Sequence, residues 1–132
     1  MIKRAATTTI VAIFCLCLTS PGASGADLAP AADAEIQHLL DYLGSSGCRF
    51  YRNGKWYTDM KTAREHAEKK LAYFSRKGRV HSAEDFITWA AYKSELTGKP
   101  YLVKCGDCPV ETAAEWLTDE LKRFRKSERT PE

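Results

Sequence analysis

The chain has 132 residues, with 20 Lys and Arg against 17 Asp and Glu, a formal charge of +3, and 44% hydrophobic residues. That length supports one small core and no second one. Charges this mixed in sign exclude tracking of a nucleic-acid backbone, which needs a concentrated basic face, so no nucleic-acid partner is expected.

Residues 1–26 stand apart. Lys3 and Arg4 give a basic start, Ala5 to Leu18 is an uncharged apolar run as long as a secretory h-region, and Ser20-Pro21-Gly22 breaks it. Ser24-Gly25-Ala26 presents small residues where a signal peptidase reads, which predicts cleavage after Ala26 and export. The run falls short of the roughly 20 residues of a membrane span. Bulky residues before Cys15 and Cys17 do not suit a lipidation site, so no stable membrane anchor is expected. Cleavage leaves 106 of the 132 residues, removes Cys15 and Cys17, and takes the formal charge from +3 to +1 with the loss of Lys3 and Arg4.

Residues 27–32 read as a loose Ala/Pro-rich lead-in to a single domain over 33–126. From Asp33, Ile36, Leu39, Leu40 and Leu43 recur with helical period, predicting a helix that ends near Gly44 to Gly47. In "CRFYRNGKWY", aromatic residues flank Asn53-Gly54. Both central positions of a tight hairpin turn take positive φ, which Asn-Gly tolerates best, so Cys48 to Arg52 reads as a strand and Lys55 to Tyr57 as its return.

Thr58 or Asp59 caps a second helix with inner stripe Met60, Ala63, Ala67, Leu71 and Phe74, ended by Gly78. Its Lys61, Arg64, Lys69 and Lys70 read as a solvated face and His66 as a boundary residue. Ser82, with Asp85 three residues on, caps a third helix whose stripe is Phe86, Ile87, Ala90 and Ala91. His81, just before that cap, reads as a local hydrogen-bonding residue.

Gly98-Lys99-Pro100 turns the chain into a strand over Tyr101 to Lys104. Thr112 and Glu115 form a capping box for a last helix that turns Trp116, Leu117, Leu121 and Phe124 inward. Pro109 falls just ahead of it or in its first turn, and 127–132 reads as a disordered charged tail. This order predicts an α+β fold, four helices packed on a small two- or three-stranded sheet that includes the hairpin at Asn53-Gly54, with Tyr101 to Lys104 beside Cys48 to Arg52.

The mature chain keeps Cys48, Cys105 and Cys108. If the two longer strands are neighbours, Cys48 and Cys105 approach bonding distance, and an oxidising destination favours the bond. Cys48 with Cys108 and Cys105 with Cys108 are the other pairings, and each leaves one thiol over. The last would make "CGDC" a thiol–disulfide motif between a strand and a helix, although a thioredoxin-like fold needs more elements around it than follow here. Three cysteines with His38, His66 or His81 count to four zinc ligands, but no second close Cys/His pair exists, so no metal or other cofactor is expected.

No Gly-rich phosphate loop, nucleophile elbow or His-Glu-x-x-His motif is present, and no catalytic residue is assigned. The candidate binding residues are Tyr51, Arg52, Trp56, Tyr57 and Tyr101. Strand alternation must leave some of these rings off the core side. Tyr and Trp suit wet, partly apolar contacts, and Arg52 can clamp a carboxylate or stack on a ring. The leading expectation is a non-enzymatic binding or envelope-interaction module for a small ligand or an envelope protein. The alternative is a small thiol–disulfide oxidoreductase using Cys105 and Cys108.

"FYRNG" at 50–54, "SAEDFI" at 82–87, "TGKPYLVK" at 97–104 and the Trp116-Leu117 helix resemble the YfeK-like family of small secreted bacterial proteins, a domain of unknown function, from about Ile36 to Arg125. The resemblance implies a periplasmic domain and carries no activity or ligand with it. It also implies that Cys48 pairs with Cys105, as in many relatives. Cys108 is an addition to the pattern, and Tyr92 and Lys93 stand where the family runs in small serines.

Overall fold

The computed structural model describes residues 28–130. The predicted signal peptide and its cleavage site lie outside the described residues, as do 131 and 132. Helix α1 spans Pro30–Ser45, beginning ahead of the expected Asp33. Pro30 takes a first-turn position, where its missing N–H would be unsatisfied anyway and its φ is preset, so 30–32 are helix rather than a loose lead-in. Ile36, Leu39, Leu40 and Leu43 are buried, as their spacing requires.

Strands β1 (Arg49–Arg52) and β2 (Lys55–Tyr57) form the hairpin. Asn53 (φ 51°) and Gly54 (φ 84°) take the two positive-φ positions of its turn. Helix α2 (Met60–Arg76) starts where the Asp59 side chain accepts from the Lys61 N–H. Helix α3 (Ala83–Phe86) starts where Ser82 accepts from the Asp85 N–H, and it runs on into a π-helical segment, Ile87–Ala91. Strands β3 (Leu102–Lys104) and β4 (Glu111–Thr112) follow, then helix α4 (Ala113–Glu128) behind the Thr112–Glu115 capping box. Pro109 lies in the loop ahead of β4. Ser127 and Glu128 are helical rather than tail; Arg125 and Lys126 in that last turn suit the negative end of the helix dipole.

The sheet has four strands in the order β2-β1-β3-β4, all antiparallel, where two or three were expected. The extra strand, β4, is two residues long, too short to show a period. Register sorts the side chains into two rows. One joins Phe50 to Tyr57 and Val103; the other joins Tyr51 to Trp56 and Leu102. Because successive side chains alternate, Phe50, Arg52, Tyr57, Tyr101 and Val103 share the face packed by helices, while Tyr51, Trp56 and Leu102 lie on the other. Burial agrees: Phe50, Tyr101 and Val103 belong to the core, and Tyr51, Trp56 and Leu102 are only half-buried.

The core fills the space between the inner sheet face and the helices, with Phe86, Ile36, Leu39, Leu40, Leu117 and Val103 its most enclosed side chains. Each contributes about 1.5–3 kcal/mol by leaving water. Trp116 joins two layers, its ring stacked on Tyr42 of α1 at 4.5 Å and meeting Phe50 of β1 edge-on at 5.8 Å. Arg125 of α4 ties three helices through Glu35 of α1 at 2.7 Å and Glu84 of α3 at 2.5 Å. Among the described residues, no helix is long and apolar enough to cross a membrane.

Cys48 and Cys105 continue the β1–β3 register one pair beyond Arg49 and Lys104, on the inner face. They are disulfide-bonded with Cα atoms 4.3 Å apart, the spacing of a close antiparallel pair. Cys108 is an exposed free thiol, in a turn closed by its N–H donating to the Cys105 carbonyl at 2.9 Å.

Candidate ligand pocket behind the sheet

The alternation that builds the core also divides the five predicted binding residues. Tyr51 and Trp56 form a cross-strand pair on the outer face, rings 5.4 Å apart, with the Arg49 guanidinium 5.3 Å from the Trp56 ring. Arg52, Tyr57 and Tyr101 are brought together on the inner face, where they border a pocket of about 60 Å³. Its floor and walls are Phe50, Ala63 and Ala67 of α2, Ala90 and Ala91 of the π-helical segment, and Leu117 of α4. Small alanines on the inward stripes of α2 and the π-helical segment leave this space unfilled beside the large rings of the sheet.

The rim is polar and connected. The Arg52 Nη1 donates to His66 Nδ1 at 2.6 Å, which fixes the proton of the neutral imidazole on Nε2. That Nε2 lies 3.2 Å from the Tyr101 hydroxyl oxygen, to which it donates. Lys70 Nζ donates to the same oxygen at 3.4 Å and to the Lys93 carbonyl at 2.7 Å. With two donors on its oxygen, the Tyr101 hydroxyl keeps its own proton to give. Burial, then the positive charges of Arg52, Lys70 and Lys69, hold His66 down to about 4, so it is neutral at physiological pH. Burial likewise raises Tyr101 and lowers Lys70, the latter opposed by Glu95 at 3.7 Å.

Lys70 therefore does not belong to a solvated face. It is buried, its ammonium 5.8 Å from the centre of the Phe74 ring on the same helix and 5.1 Å from that of Tyr101. Sequence periodicity missed it because a Lys in a helical stripe reads as solvent-facing, whereas a long stem can carry its charge across apolar surface to a carbonyl. His66 sits at the expected boundary, and its place between Arg52 and Tyr101 had no sequence signal. His81 makes the expected local bond, Nε2 to the Gly78 carbonyl at 3.0 Å.

No Asp or Glu lines the pocket, and Arg52, with its guanidinium 5.5 Å from the Tyr57 ring, has no carboxylate partner among the described residues. The grooves along α4 are wider, but they are lined by side chains already engaged with one another, such as Lys122 with Asp119 and Arg125 with Glu35. Among the described residues, no three His, Cys, Asp or Glu side chains converge to hold a metal ion. The Cys48–Cys105 bond also leaves Cys108 without the dithiol partner that the oxidoreductase alternative requires.

Fold and site together define an α+β domain with an apolar pocket whose lining includes a cation, Arg52, without a carboxylate counter-ion among the described residues. The chain belongs to the family of unknown function DUF5329, whose profile matches residues 30–125. Neither the curated proteins nor the solved structures compared with it include a match.

Proposed function

We propose that this protein is a non-enzymatic periplasmic binding module, and that its site is the pocket bordered by Arg52, Tyr57 and Tyr101. The observation that carries this reading is Arg52: a half-buried guanidinium held against His66 at the mouth of an apolar cavity, with no carboxylate of the described residues to neutralise it. Leaving a charge partly desolvated and unpaired costs free energy, and an anionic occupant removes that cost. The signal-peptide pattern of residues 1–26, the resemblance to YfeK-like secreted proteins and a disulfide suited to an oxidising compartment support the periplasmic part.

The test is retention. Folded mature protein is incubated with small molecules extracted from the periplasm, washed and denatured, and the released compounds are identified by mass spectrometry. A compound held by wild type and lost in both Ala67→Leu, which fills the cavity, and Arg52→Gln supports the site. Retention unchanged in both folded variants removes it. A second reading, docking of an envelope protein on the outer face, rests on the uncovered Tyr51–Trp56 pair. It predicts a partner lost with Trp56→Ala and kept with Ala67→Leu.

A further inference from the structure

The pocket constrains its occupant in size and in charge. Its volume is about 60 Å³, whereas an apolar cavity of about 150 Å³ holds the six carbons of benzene, so it admits an aliphatic group of roughly two or three carbons and not an aromatic ring.

The rim asks for an acceptor. Arg52 has five N–H donors, of which one serves His66. His66 has spent its Nδ1 lone pair on Arg52 and its Nε2 proton on Tyr101, and Tyr101 has a hydroxyl proton left to donate. None of the lining residues is an acid that could supply the missing charge.

We infer that the pocket binds short aliphatic carboxylates of about three or four carbons, the carboxylate on the Arg52 guanidinium and the tail between Ala67 and Ala90. This rests on the binding reading above and gives it a ligand class. A free short-chain acid and the C-terminal carboxylate of a peptide ending in a small aliphatic residue present the same chemistry.

Folded mature protein with ¹³C-labelled methyl groups is titrated with sodium butyrate, N-acetylvaline and butyramide at constant ionic strength. Butyrate or N-acetylvaline shifts the methyls of Ala63, Ala67 and Ala90, and the tighter of the two identifies the source. Butyramide, the neutral isostere, binds about tenfold or more weakly, because a charge-assisted bond to Arg52 is lost. Arg52→Gln brings butyrate down to the butyramide affinity.

Equal affinity for butyrate and butyramide in wild type overturns the carboxylate assignment, whether or not Arg52→Gln folds. So does failure of every carboxylate to move the alanine methyls. If that failure coexists with a periplasmic compound retained by wild type and lost in Ala67→Leu, the ligand class is wrong and the pocket stands. If nothing is retained either, both readings fall.

Discussion

Replacing both Cys48 and Cys105 with Ala removes the one covalent link between β1 and β3. The bond spans a sequence separation of 57, closing 58 residues counted inclusively. On the chain-entropy relation, a loop of that size stabilises the folded state by about 4 kcal/mol, by restricting the unfolded chain. Cys48 is 4% exposed, so the lost sulfur also leaves a small void that adds to the cost. Domains of this size have only about 5–15 kcal/mol in total, and the double variant should lose a large part of it. Urea denaturation followed by tryptophan fluorescence and far-UV circular dichroism measures the difference, with Cys108→Ser as a control that should change stability by less than about 0.5 kcal/mol. A loss below about 1 kcal/mol in the double variant, or a comparable loss in the control, would refute the pairing as the source of stability.

Three further outcomes follow from the same contacts. Folded His66 resists protonation until about pH 4, while in the unfolded chain it takes a proton near its ordinary 6.5, so the unfolded state binds more protons in between and stability falls as pH drops through that window. Its imidazole resonances should be flat from pH 8 to 5, and His66→Gln should weaken the pH dependence of stability; a titration midpoint near 6.5 contradicts the Arg52–His66–Tyr101 chain. Arg125→Met strands Glu35, whose side chain is 19% exposed, and should cost about 1–3 kcal/mol in denaturant titrations, against no measurable loss if the pair is only a surface one. Thr112→Ala removes the cap of α4 and should cost about 1 kcal/mol, with hydrogen exchange rising in the first turn of that helix rather than across the sheet.

Local chemistry was legible in the residues themselves. Asn53-Gly54, the Ser82 cap, the Thr112–Glu115 box and the stripe of α1 each depend on interactions within a few residues, and each forms where the sequence puts it, while Asp59 is the one of the two cap candidates, Thr58 and Asp59, that starts α2. The adjacency of β1 and β3 was also legible, because each carries residues that only a shared sheet could bury. Arg52, Tyr57 and Tyr101 were named as candidates, but their separation from Tyr51 and Trp56 depended on register, which inverts with a one-residue slip. The cavity had no local signature at all: Ala63, Ala67, Ala90, Ala91 and Leu117 meet only through packing. Lys70 and β4 were missed for opposite reasons, the first because a long stem hides its charge and the second because two residues have no period.

The most direct measurement is a crystal structure of the mature protein grown in butyrate, set beside one grown without it. The carboxylate should lie within hydrogen-bonding distance of the Arg52 guanidinium, with the hydrocarbon tail against Ala67 and Ala90 and the Arg52–His66 bond intact. A pocket that stays closed to the ligand, or an Arg52 turned away to pair with a carboxylate of the protein itself, would contradict it.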